Sequence, residues 1–257
     1  MSLFSSNGTQ IFYDLQGDGD KVITLINGHN RTHKDFRPMA KFLAQNGLTV
    51  LSLDNRGSGQ SESTGSFKLA DMATDVCNLW SHLQIEKSHV LGISMGGIIA
   101  MTVALSESQV VESLLLVSTA ARTHWLSGET NWAEDYQGVY QKLRRYFSPS
   151  FTDRNKLLVE SMAKQILSDV LQGNLVKRSI AQKNALDGFD ARVGLGAIAV
   201  PVHVLHGRDD DIIPYAAAEE LANCAHADLS SLDGVGHLIL AEAPKTLYQW
   251  VLEKIEG

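Results

Sequence analysis

The strongest constraint in this sequence is a repeated alternation. A short run of apolar or β-branched residues is followed by a turn, and then by a longer stretch of helical period. The runs fall at 22–26, 49–53, 89–91, 114–117, 202–205 and 228–232. Runs this short suit strands buried on both faces. Between them lie helical segments at 36–45, 97–105, 216–222 and 246–255. The clearest helical stripe is Leu69, Met72, Ala73, Val76, Leu79, Trp80 and Leu83, an i, i+3, i+4 pattern. Strand alternating with helix predicts an α/β fold, a mostly parallel central sheet with helices on both faces. At the start, Asn7-Gly8 separates two strand-like pieces, 3–4 and 10–15. Asn-Gly is a strong two-residue turn signal, so an antiparallel hairpin is expected there.

The rhythm breaks after residue 118 and resumes at Val200-Pro201-Val202. In between, 136–147, 155–168 and 175–185 read as helices, with aromatic residues scattered through them. This predicts a helical cap over the C-terminal edge of the sheet. The expected division is core 1–118, cap insertion 119–198 and core 199–257. Most of the cap aromatics are expected to pack the insertion onto the core. Loops over a sheet edge shape pockets, so the insertion is also expected to set specificity.

The 257 residues suffice for one large domain with a sizeable core. A formal net charge of −7 and the lack of a dominant Lys/Arg cluster argue against nucleic acid as a partner. The nearest cluster, 142–145, reads as a solvated helix face. No apolar stretch approaches the roughly 20 residues that span a bilayer, so no membrane is expected. Residues 1–8 have neither a basic start nor an apolar h-region, so no secretory signal is read there. The two cysteines, Cys77 and Cys224, lack metal-ligand spacing and read as buried thiols inside helices rather than a disulfide. Together these features predict a cytoplasmic setting, with no metal and no cofactor.

The chemistry centres on His89-Val90-Leu91-Gly92-Ile93-Ser94-Met95-Gly96-Gly97, which reads as strand, tight turn and helix. Gly92-x-Ser94-x-Gly96 is nucleophile-elbow spacing. By itself the pattern also describes a glycine-rich turn before a helix. A serine nucleophile needs a base, and the base needs an orienting acid. Of nine histidines, His237 lies in Gly234-Val235-Gly236-His237, a glycine-flanked loop after the last strand run. For the acid, Asp209-Asp210-Asp211 follows the 202–205 strand. Asp210, three after Gly207 and four before Pro214, is the candidate, and its neighbours read as a solvated turn.

Taken in order, these segments resemble the α/β-hydrolase superfamily over nearly the whole chain. Gly92 to Gly97 resembles its elbow, and Asp54-Asn55-Arg56-Gly57-Ser58-Gly59-Gln60-Ser61 its D-x-R-G-x-G-x-S loop. Gly207 to Pro214 resembles its acid loop, and Gly236-His237 to Pro244, with Glu242, its histidine segment. The resemblance implies Ser94, Asp210 and His237 as the catalytic triad, in the family order. The family's alternative acid position falls near Ser118-Thr119-Ala120, which has no carboxylate. The chain departs from the family where His-Gly usually follows the first parallel strand, having Asn27-Gly28-His29-Asn30 instead. Some lactonases and enol-lactonases of the family also lack that His-Gly. By position, the backbone N–H groups of His29 and Met95 are the implied oxyanion-hole donors. Asn30, His33 and Trp125 are candidates for the pocket wall. The Asp54–Ser61 loop is expected to be structural, with Arg56 pairing to a carboxylate.

These residues predict a serine hydrolase that cleaves a small carboxylic ester or lactone through an acyl-enzyme. Ser94 at the elbow argues against dehalogenase and epoxide-hydrolase chemistry, which use aspartate there in this family. Carbon–carbon bond hydrolases, thioesterases and perhydrolases share the triad and stay open. So does a ligand receptor or signalling protein with vestigial turnover. Oligomeric state is not legible.

Overall fold

The computed structural model describes residues 2–62, 65–125 and 132–256, and of residues 174 and 176–178 the backbone only. Its strands are β1 (Ser2–Ser6), β2 (Thr9–Gln16), β3 (Lys21–Ile26), β4 (Leu48–Leu53), β5 (Ser88–Ile93), β6 (Val111–Val117), β7 (Val202–Gly207) and β8 (Asp228–Leu232). They form one sheet in the order β1-β2-β4-β3-β5-β6-β7-β8. β1 and β2 pair antiparallel, as do β2 and β4, and every later pairing is parallel. The expected hairpin closes with Ser6 opposite Thr9. Asn7 and Gly8 both take positive φ, 48° and 83°, as a two-residue hairpin turn demands.

The helices are α1 (Arg37–Gln45), α2 (Leu69–His82), α3 (Met95–Ser106), α4 (Tyr136–Arg144), α5 (Pro149–Arg154), α6 (Lys156–Leu171), α7 (Asn174–Ala185), α8 (Arg192–Leu195), α9 (Tyr215–Ala225), α10 (Ile239–Glu242) and α11 (Pro244–Glu256). Both faces of the sheet are covered. Leu114 and Leu116 of β6 pack with α2, α3 and α9, while Leu115 and Val117 pack with α1 and α11. This period-2 split is why the parallel strands read as continuous apolar runs. The stripe on α2 behaves as expected: Met72, Ala73, Val76, Leu79 and Trp80 are buried against the sheet.

Between β6 and β7, the described residues hold helices α4 to α8 and one isolated bridge, Arg122 to Asp190. α4, α5, α6 and the turn after α4 share a small core of Val139, Leu143, Phe147, Phe151, Val159 and Ala163. Trp132, Tyr136, Tyr140 and Tyr146 pack around it, so these aromatics largely serve the insertion itself. Leu238, beside His237, joins the same cluster and links the insertion to the histidine loop. Cys77 and Cys224 are free thiols, half-buried rather than fully buried. No described helix is long and apolar enough to cross a membrane.

Candidate active site

The sheet order fixes where a site can form. The chain leaves β3 for β4 on one side, then crosses back to β5 on the other. At such a switch point the loops after neighbouring strands diverge and leave a crevice at the strands' carboxyl ends. Ile26 pairs with Gly92, so the loops beginning at Asn27 and Ser94 leave the sheet side by side. Val117 of β6 pairs with Ile93 on one side and Leu205 on the other, and β8 follows β7. The loops carrying Asp210 and His237 therefore open at the same edge.

Ser94 sits in the left-handed region, φ 55° and ψ −119°. A non-glycine residue held there costs about 1–3 kcal/mol and persists only where its surroundings enforce it. The glycines supply the room. A Cβ on Gly96 would stand 2.0 Å from the Ile26 carbonyl oxygen, and one on Gly92 2.4 Å from that of Gly96. Hydrogen bonds complete the enforcement. The Ser94 N–H donates to Val117 O at 2.9 Å, and Thr119 Oγ1 donates to Ser94 O at 2.7 Å.

Ser94, His237 and Asp210 come together in one relay. His237 Nε2 lies 3.1 Å from Ser94 Oγ, and His237 Nδ1 lies 2.8 Å from Asp210 Oδ2. Asp210 is nearly buried and fully bonded. Its Oδ1 accepts the Ile212 and Ile213 N–H groups at 2.8 and 2.9 Å. Its Oδ2 also faces His206 Nε2 at 3.2 Å. Burial pushes the Asp210 carboxyl up, but His237 and His206 outweigh it and hold it well below the usual carboxylate range. Nothing in the sequence singles out His206, and only the fold reveals it beside the acid. Its Nε2–H donates to Ile213 O at 2.9 Å, so one ring braces both the acid and its loop. Tyr146 was also read only as an insertion aromatic. Its ring meets that of His237 edge-on, with centroids 5.7 Å apart. Glu242 accepts from Gly236 N at 3.0 Å and from Ser148 Oγ at 2.7 Å, which anchors the loop before His237.

The loop after β3 is stapled by Asn27. Its Nδ2 donates to Thr32 O and Asp35 Oδ2, both at 2.9 Å, and its Oδ1 accepts the Gly28 N–H at 2.8 Å. Gly28, Asn30 and Arg31 amides are thus committed to Asn27 Oδ1, Gln182 Oε1 and Gly28 O. The His29 amide takes part in none of these bonds. The Met95 amide opens α3, where a helix has no internal acceptor for it. The His29 ring donates from Nε2 to Ser179 O at 2.9 Å. Burial lowers its pKa despite that bond, and the nearby Lys142 and Lys183 lower it further.

The other pocket candidates are tied to different neighbours. The His33 side chain is fully buried, and both its N–H and its Nδ1 reach Asp54 Oδ1, at 2.7 and 2.8 Å. A buried carboxylate must be bonded, and satisfying Asp54 takes His33 away from any pocket wall. Trp125 donates from Nε1 to Glu220 on α9 and packs with Ala120, Ile213 and Ala217. Those partners set it on the acid-loop side, since Ile213 also donates its N–H to Asp210 and Ala120 follows Thr119, which bonds Ser94 O. Asn30 stays beside His29, with φ 57° and a buried Oδ1 that has no partner among the described residues. The Asp54–Ser61 loop is structural as expected. Arg56 makes a two-pronged bond to Asp75 at 2.9 and 2.7 Å, and Gln60 N–H donates to Asp54 Oδ2.

Comparison with known proteins identifies the chain's relatives. A family model described as serine aminopeptidase, S33, matches residues 17–244. The chain is 30% identical over 222 residues to the AB hydrolase superfamily protein YisY of Bacillus subtilis, covering 82% of each. It is 28% identical over 248 residues to 3-oxoadipate enol-lactonase 2 of Acinetobacter baylyi, covering 91% of this chain and 88% of that one. Among solved structures, MGS-M2, an α/β-hydrolase enzyme from a Medee basin deep-sea metagenome library, superposes with a TM-score of 0.89 at 22% identity. That match covers 100% of this chain and 98% of the other.

Proposed function

Because the chain belongs to the serine aminopeptidase S33 family of α/β-hydrolases, we propose that it is a serine hydrolase acting on a small carboxylic ester or lactone. The observation that carries this reading is the unbroken Asp210–His237–Ser94 relay at 2.8 and 3.1 Å. In the proposed reaction, Ser94 Oγ attacks the acyl carbonyl while His237 Nε2 takes its proton. The oxyanion gathers on the His29 and Met95 amides, where preorganised donors are worth most. His237 then gives the proton to the leaving oxygen. Water, activated by the same imidazole, releases the acid and restores Ser94. Asp210 keeps the His237 proton on Nδ1, so that Nε2 faces the serine as a base. The similarity to an enol-lactonase, over nine-tenths of the chain, supports an ester or lactone as the bond cleaved.

A fluorophosphonate probe tests the nucleophile, and a panel of p-nitrophenyl esters, lactones and acyl thioesters tests the bond. Wild-type protein is expected to label at Ser94 and to turn over esters or lactones. Ser94→Ala should label and turn over at least about 10³-fold more slowly, with an unchanged fold. Full activity in Ser94→Ala would overturn the reading.

A further inference from the structure

The helical insertion grips the oxyanion loop through one helix. α7 presents Ser179 and Gln182, one turn apart and both fully buried. Gln182 Oε1 accepts the Asn30 N–H at 2.9 Å. Gln182 Nε2 donates to Arg56 O at 2.9 Å and to Ser58 Oγ at 2.8 Å. One amide thus spans the oxyanion loop and the Asp54–Ser61 loop. The bonds also fix its orientation, because exchanging its oxygen and nitrogen would set an NH2 against the Asn30 N–H. The Ser179 carbonyl accepts the His29 Nε2–H at 2.9 Å.

A fully buried amide is tolerated only when bonded, since an unmet polar group costs about 1–3 kcal/mol. Gln182 therefore has one favourable seat, and leaving it exposes all three bonds at once. The loop it holds is strained, since Asn30 takes φ 57°. His29 is tied on both sides, by its own ring to Ser179 and by the next amide to Gln182. The peptide N–H between those ties is the one assigned to the oxyanion.

We propose that Gln182, with the Ser179 carbonyl, is a positioning element that aims the His29 amide, so that the oxyanion hole is complete only when α7 is seated. The proposal rests on the acyl-transfer reading above, because it gives a role to the same loop. It makes the insertion part of the transition-state machinery as well as a wall of the pocket. The expected signature is a loss in kcat rather than in substrate binding, because the oxyanion interaction strengthens only as charge develops. Asp210 and His237 stay untouched, so the pH profile should keep its shape.

The test compares wild type with Gln182→Met, which keeps chain length but removes all three bonds, and with Ser58→Ala, which removes one. Amide hydrogen exchange is measured on the resting protein, and kcat and KM on the best ester or lactone. In Gln182→Met, exchange at residues 29–31 should rise at least about tenfold, while 90–97 is unchanged. Its kcat should fall about 10- to 100-fold with KM within about threefold. Ser58→Ala should move both readouts in the same direction by a smaller factor. Unchanged exchange at 29–31 in either folded variant overturns the proposal. So does a kcat within twofold of wild type in Gln182→Met, or a displaced pH profile. If Gln182→Met fails to fold, Ser58→Ala decides by the same comparison. If wild type is inert to the fluorophosphonate, the acyl-transfer reading fails on its own, and the exchange data still decide whether α7 holds the loop.

Discussion

Asp210 takes two backbone donors on one oxygen and faces two histidines with the other. In the proposed mechanism, that setting makes it both a catalytic part and a stability determinant. Folded Asp210 gives up its proton more readily than the unfolded residue does. Its contribution is therefore full above the usual carboxylate range and drains away as pH falls through the depressed folded value. Asp210→Asn should flatten that acid-side loss, measured as the urea midpoint against pH. It should also lower kcat by about 10³- to 10⁴-fold, because an amide no longer holds the productive His237 tautomer. An acid-side stability curve identical to wild type would count against this assignment. The triad candidates were legible because glycine flanks, loop position and chain order restrict the choice. His206 was not, since its place beside the acid depends on how the loop folds back four residues later. His33 misled for a related reason. Its partner, Asp54, is 21 residues away and declares itself only once both are buried.

At the scale of elements, the elbow works because β3, β5 and α3 pack closer than side chains permit. Gly96→Ala should cost at least about 2 kcal/mol, because the new Cβ meets the Ile26 backbone rather than a yielding side chain. Gly47→Ala is the control. Gly47 has φ +83° but nothing within 4 Å of a new Cβ, so only the roughly 1–2 kcal/mol of left-handed strain applies. Denaturant unfolding of the two variants should rank them in that order, and a Gly47 variant equal to or worse than Gly96→Ala would contradict the packing argument. Strands and hairpin were readable because their signals are local: runs of Val, Leu and Ile, and Asn7-Gly8 at a turn. Asn27 was harder. Its departure from His-Gly is visible in the residues alone, while its three-bond staple needs Thr32 and Asp35 folded beneath it.

Across the whole molecule, the insertion and the sheet meet through a few polar ties. Glu242 joins the His237 loop to Ser148 at the start of α5, and Arg145 pairs with Asp211 beside the acid. Removing Glu242 leaves buried donors on both sides. Glu242→Ala should cost about 1–3 kcal/mol and speed amide exchange at 145–152 and 234–238, with the strands of the sheet unaffected. Uniform acceleration across the sheet would show that the tie is not local. That the insertion is helical was legible from period alone. How it attaches was not, because its ties join residues 66 to 152 positions apart. The same long reach governs the relay itself, in which His237 stands 143 residues after Ser94. In a chain made from its N-terminus, Ser94 is therefore present well before the residue proposed as its base. Until residue 237 has been added and its loop closed, the growing polypeptide carries only an ordinary alcohol at that position, so the newborn protein is kept chemically quiet by its own topology.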